Sequence, residues 1–219
     1  MKAFRLKLNS WTSSFRYPNL ISGFQPTLEV PPVSTVMGLI NAASGKYLQN
    51  RKMEFGYYFD FKIKTIDLET IYQIKANGKN YPDNAVKSNV MHREFLYDCR
   101  LFLYLVDEDL VSCFREPAYQ LLLGRSGDLA GIESIKVVEM QEVQDARFGG
   151  QVIPFHGNNL PGQIQALPKY FSNTIPRKNM GTEPYSVISY NNPVNSQLHG
   201  YRSVLEEFDS DIFFHKFEV

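Results

Sequence analysis

Phe4-Arg5-Leu6-Lys7-Leu8 and, after a loop, Pro31-Pro32-Val33-Ser34-Thr35-Val36-Met37-Gly38-Leu39-Ile40 are the stretches whose reading decides the fold. In the first, apolar and basic residues alternate, which is the period of a strand with one buried face. The loop from Trp11 to Pro26 is rich in aromatic and turn residues. Pro31 and Pro32 then stop the extended chain and pre-set a helix start. Val33, Val36, Met37 and Ile40 fall at i, i+3, i+4 and i+7, one apolar stripe of a helix. Gly38 offers room for another backbone to come close, and Gly45 is a natural C-terminal stop. A strand feeding a helix that must lie back on it begins an α+β layer structure.

Further along, Phe55, Tyr57, Phe59, Phe61, Ile63 and Thr65 alternate with more polar neighbours, and Phe95 to Leu105 does the same. Both predict strands whose odd positions face the core. Between them, residues 67–93 carry turn signals at Asn77-Gly78 and Tyr81-Pro82. An ordinary hairpin loop has two to five residues, so a segment of this size predicts an arm projecting from the sheet. It holds Lys75, Lys79, Lys87, His92 and Arg93 against Asp67, Glu69 and Asp83. It reads either as a solvated loop or as a basic arm gripping a polyanion.

Asp107 to Arg115 begins acidic and ends basic, as a helix dipole prefers, and Pro117 ends that helix. Tyr119 to Leu123 predicts a short fourth strand, and Ile132 to Met140 another. The order β-α-β-β-α-β is ferredoxin-like, a pattern that RNA-recognition domains share. From Asp145 onward Gly and Pro punctuate short extended pieces at 163–167, 185–190 and 211–217. The expected division is residues 1–144 as the first domain and 145–219 as a β-rich extension packed on it.

Lys plus Arg number 23 and Asp plus Glu also 23, so no global basic field points to nucleic acid, and any such binding must come from local clustering. Cys99 and Cys113 sit in apolar patterns and read as free thiols in a reducing compartment. No leader-like segment and no apolar run of membrane-spanning length is evident, so a cytoplasmic location without membrane contact is expected. Four scattered histidines give no metal-ligand spacing, and no cofactor is expected. Nucleophile-elbow and zinc-protease motifs are absent.

Gly124-Arg125-Ser126-Gly127-Asp128-Leu129-Ala130-Gly131 is the clearest chemical candidate. Glycines let backbone N–H groups approach a phosphate, and Arg125 could add a two-pronged fork; a tight turn fixed by Arg125 with Asp128 or Glu133 is the competing reading. On the strand faces away from the core, Arg5 and Lys7 should lie near Lys62, Lys64 and Arg100. The loop at Trp11, with Arg16 and Tyr17, interleaves aromatics and a cation, which suits single strands. Trp11 itself reads as a core residue.

Phe4 to Ser10, Pro31 to Ile40 and Leu123 to Leu129, in this order and spacing, resemble the CRISPR-associated protein family five. Leu160-Pro161-Gly162 and Pro184 to Ile188 look like its type I-B branch. The resemblance implies a ferredoxin-like fold of the RAMP superfamily with a long β-hairpin thumb at about residues 67–93. It also implies a non-catalytic subunit of Cascade, the type I surveillance complex of antiviral defence, that caps the 5′ handle of the CRISPR RNA. Contacts with the repeated backbone subunit and the large subunit follow, and target DNA is reached through the complex. Carried onto this sequence, the RNA-binding residues are Arg16, Tyr17, Ser34, Thr35, Lys75, Lys79, Lys87, His92, Arg93, Gly124, Arg125, Ser126 and Gly127. In the I-C branch the subunit is itself a metal-independent endoribonuclease using tyrosine, lysine and histidine. That chemistry, or a stand-alone RNA-binding scaffold, is the alternative.

Overall fold

The alternation that begins at Phe4 carries on past Leu8, so β1 spans Lys2–Ser13 in the computed structural model. The structure describes residues 1–20, 23–48, 52–74, 87–158, 160–204 and 207–218. Short strands β2 (Phe15–Arg16), β3 (Phe24–Gln25) and β4 (Thr27–Leu28) follow, with β2 paired to β4. Helix α1 (Val33–Ser44) starts behind Pro32 and ends at Gly45, whose φ of 69° is the left-handed stop expected there. Strands β5 (Lys52–Gln73) and β6 (Lys87–Leu105) are long. Helix α2 (Glu108–Arg115) is capped by Asp107, whose carboxylate accepts from the Asp109 and Leu110 N–H groups. Strand β7 (Ala130–Val143) completes the first region.

The remainder contributes β8 (Arg147–Phe148), β9 (Gln151–Pro154), β10 (Gln163–Pro168) and β11 (Thr182–Ile188). After them come β12 (Val194–Asn195), β13 (Gly200–Ser203) and β14 (Phe214–Glu218). The main sheet has the order β13-β7-β1-β6-β5-β14, every neighbour antiparallel, with β3 joining β6 in parallel. Its centre is therefore β7-β1-β6-β5, and the C-terminal region supplies a strand at each edge.

One face of this sheet packs beneath the helices. Leu6, Leu8, Phe55, Tyr57, Phe59, Leu101 and Leu103 meet Val33, Val36, Met37 and Ile40 of α1, all of them buried. The Tyr57 hydroxyl donates to the Pro31 carbonyl at 2.9 Å, tying the helix start to β5. Fully burying one such large side chain contributes roughly 1.5–3 kcal/mol.

The opposite face departs from expectation. Instead of a solvated charged surface, it holds a second core of Tyr58, Phe102, Tyr104, Ile212 and Phe214. Phe208 stacks on Tyr58 with ring centroids 3.7 Å apart. The C-terminal segment crosses this face, so Arg5 is buried and Lys7 pairs with Glu133 at 2.9 Å and Glu207 at 3.3 Å. Lys64 lies on the helix side, bonded to Glu29 at 2.8 Å.

Two smaller readings are also corrected. Tyr119 to Leu123 forms no strand; it makes one isolated bridge, Leu122 with Leu129, because this segment closes a turn. Gly38 is exposed with open space around it, so no backbone approaches there.

Candidate nucleic-acid interface

The site is built where β1 ends, the β5–β6 hairpin leaves the sheet and the glycine loop turns. The hairpin register runs unbroken from Ile63 opposite Tyr97 to Gln73 opposite Lys87. Up to Phe61 the residues of β5 are largely buried, and from Lys62 onward nearly all are exposed. The strands therefore continue outward as a thumb, its distal part beyond the packed sheet. Lys75 and Lys79 fall outside the described residues.

Alternation gives this thumb two unlike faces. Ile66, Leu68 and Tyr72 on β5 share a face with Val90 and His92 on β6 and Phe24 on β3. Those five apolar side chains are 47–65% exposed. The other face carries Asp67, Glu69, Lys87 and Arg93. Lys87 and His92 are exposed, on opposite faces. Arg93 is buried, forms an ion pair with Glu69 and donates to the Met91 sulfur. The cations assigned to one gripping surface are thus divided, and Arg93 is occupied in holding the thumb's base together.

The glycine loop sits against the end of β1. Gly124 has φ of 127°, and a Cβ there would lie 2.7 Å from the Ser14 carbonyl oxygen. Only glycine allows this approach. The buried Asp128 carboxylate organises the rest: it accepts from the Thr12 hydroxyl at 2.7 Å, the Arg125 backbone N–H at 2.8 Å, and the Arg125 guanidinium at 3.0 and 3.1 Å. Arg125 therefore spends its fork inside the loop, as the competing turn reading had it. Burial works against its charge, but the Asp128 bond and the fields of Asp128, Glu69 and Asp67 outweigh that, and its pKa rises. Ser126 and Gly127 are exposed, and among the described residues their backbone N–H groups have no acceptor.

The other assigned residues lie elsewhere. Arg16 is exposed on β2. Tyr17 donates its hydroxyl to Gln163 at 2.9 Å, beside the Lys64–Glu29 pair. Ser34 and Thr35 are half-buried in the first turn of α1, which has no side-chain cap. Trp11, expected in the core, is instead 77% exposed, with Tyr97 at a centroid distance of 6.1 Å. Its odd position on β1, shared with Arg5, Lys7 and Asn9, was the signal for this.

Tyrosine, lysine and histidine do converge at one place, a cavity of about 370 Å³ lined by Lys169, Glu183, Tyr185, His215 and Lys216. Lys169 is bonded to Glu183 at 2.8 Å, and burial pushes the Tyr185 hydroxyl above its ordinary range. Burial among Phe55, Tyr57 and Phe217 lowers His215 to about 3, so it stays neutral at pH 7. No cluster able to hold a metal occurs among the described residues. Nor does any helix there have the length and apolarity to cross a membrane. Burial likewise pushes the Cys99 thiol up to about 12, leaving it inert, and both cysteines are free.

No protein-family model matches the chain, and no curated protein does. Solved structures do match. A chain of a CRISPR RNA-guided surveillance complex aligns over 90% of this chain and 91% of its own, with a TM-score of 0.54 at 14% identity. A chain of a type III-B Cmr-beta complex bound to cognate target RNA and AMPPnP aligns over 90% and 86%, with a TM-score of 0.54 at 7% identity. A CRISPR protein from Archaeoglobus fulgidus aligns over 97% and 99% at 11% identity, with a TM-score of 0.46. At these identities the likeness is one of fold.

Proposed function

We propose that this chain is a non-catalytic, RNA-binding subunit of a CRISPR RNA-guided surveillance complex. It holds the 5′ handle of the CRISPR RNA, as members of family five do in type I systems. The observation that carries this is the fold likeness, over nine-tenths of the chain, to a chain of such a complex. The order β7-β1-β6-β5, with α1 and α2 as crossovers, supports a ferredoxin-like core of the RAMP kind.

In this reading the loop N–H groups of Ser126 and Gly127 take a phosphate. Arg125, fixed by Asp128, offers the N–H donors that the carboxylate leaves unused; a guanidinium has five. Lys87 on the thumb extends the contact. The apolar face of Ile66, Leu68, Tyr72 and Val90 supports docking of the neighbouring backbone subunit, and the type I-B branch is the subtype the motifs favour.

The reading is tested by expressing the chain with its neighbouring genes and CRISPR array, purifying it and sequencing the bound RNA. Enrichment of repeat-derived 5′ ends is the expected result; a random cellular RNA population contradicts it. Incubating the purified chain with repeat RNA in chelator tests the catalytic part, with intact RNA expected. Site-specific cleavage lost in Lys169→Ala would instead assign nuclease chemistry to the cavity at His215.

A further inference from the structure

We propose that Trp11 is a base-stacking platform for one unpaired RNA nucleotide whose phosphate lies toward the glycine loop. The inference rests on the RNA-binding reading above and adds a subsite to it. Trp11 stands within β1, and its neighbours Ser10 and Thr12 are both paired to β6, so the sheet holds the backbone on either side of it. Tyr97 lies against one side of the indole, tilted by 45° at 6.1 Å. Ile63, 50% exposed, sits opposite Tyr97 on β5. Leu129, 57% exposed, is held at β1 by its carbonyl, which accepts from the hydroxyl of Ser10, the neighbour of Trp11, at 2.9 Å.

The neighbouring residue Thr12 donates to Asp128, the carboxylate that organises the glycine loop. The platform is therefore one residue away from the network that presents the N–H groups of Ser126 and Gly127. An aromatic face on the strand that anchors a loop of backbone N–H donors provides for both parts of a nucleotide, base and phosphate. The charges sort these two parts. Asp98, exposed and lying between Tyr97 and Cys99, the β6 partners of Thr12 and Ser10, repels a phosphate placed over the indole but not a neutral base. Exposed Lys62, between Phe61 and Ile63 on β5, has no ion-pair partner among the described residues and suits the departing backbone.

Trp11 is the sole tryptophan of the chain, so its emission reports on this site alone. Titrate the purified full chain with an unstructured single-stranded RNA of mixed sequence, and with an abasic oligomer of equal length. Follow tryptophan emission and RNA anisotropy together. Expected are quenching that saturates with the anisotropy, no quenching by the abasic oligomer, and weaker binding in Trp11→Ala by roughly 5- to 150-fold. Trp11→Phe should retain most of the affinity, and both variants should melt as the parent does. RNA binding with unmoved emission and unchanged Trp11→Ala affinity overturns the platform and leaves the RNA-binding reading standing. Absence of any RNA binding overturns both. Emission that shifts with protein concentration in the absence of RNA assigns the surface to a second copy of the chain and also overturns the platform.

Discussion

The two halves of the β5–β6 hairpin share one ladder and one register yet live in different surroundings. In the proximal half, Phe55, Tyr57 and Phe59 pack under the helices while Tyr58 and Phe102 pack under the C-terminal segment. In the distal half, Ile66, Leu68, Tyr72 and Val90 are half or more exposed. Strand formation is thus secured at the base by burial on both faces, and the distal half is held out largely by its backbone ladder. Where side chains no longer stabilise the fold they are free to serve contacts outside it, and the candidate interface lies at this boundary.

The comparison is sharpened most by Phe59→Ala. This fully buried ring fills the core beneath α1, and its loss should cost about 3–5 kcal/mol in a denaturant melt. A cost near that of an exposed site would mean that the two halves are not distinct.

Next in size is Asp128→Ala, at the boundary itself. It removes the acceptor of the Thr12 hydroxyl, the Arg125 N–H and the Arg125 guanidinium together. A loss of about 2–3 kcal/mol is expected, tempered because Arg125 can turn to water. Arg125→Ala should lose less, since Asp128 keeps its other two donors. If the melts of both variants match that of the parent, Arg125 is not held by the loop.

A third measurement uses pH. His215 packs against Phe55 and Tyr57 in the buried half, and burial lowers its pKa from 6.5 to about 3, only partly opposed by a bond to the Val152 backbone. Between those values the unfolded chain binds a proton that the folded chain does not. The contribution is therefore intact above pH 6.5 and is lost as pH falls, by about 1.4 kcal/mol per unit, or about 2 kcal/mol near pH 5. His215→Phe should flatten this part of the profile. An unchanged slope in that variant would place the acid sensitivity elsewhere.

The smallest effect belongs to the distal half. Leu68→Ser on the exposed thumb face should alter the melt by no more than about 0.5 kcal/mol. A loss of several times that would show that this face is packed within the chain after all.

Much of the framework was legible because it is local. Alternation in Phe55 to Thr65 and Phe95 to Leu105 marks strands whatever lies beyond them. Pro32 and Gly45 bracket α1 by backbone geometry alone. What was hidden depends on partners distant in sequence. That Phe208 and Ile212 would cover the face bearing Arg5 cannot be deduced from β1, whose basic positions alone suggest solvent. Arg93 looks like a free cation until the register sets Asp67 opposite it and Glu69 on the adjacent diagonal, on the same face and within reach of its guanidinium. At the site, the glycine loop could be seen but not how Arg125 is used, because its partner Asp128 was one of two nearby acids. Trp11 was misplaced because the preference of tryptophan for interiors outweighed the parity it shares with Arg5 and Lys7.

The central claim is that this chain holds the repeat-derived 5′ end of a CRISPR RNA, and protein–RNA cross-linking tests it most directly. Cross-link the complex assembled in cells that carry the matching CRISPR array, isolate this chain and sequence the attached RNA. The account predicts cross-links confined to the 5′ repeat-derived segment, mapping on the protein to the glycine loop, the thumb and Trp11. Cross-links spread along the spacer, or none to this chain within an RNA-containing complex, would contradict it.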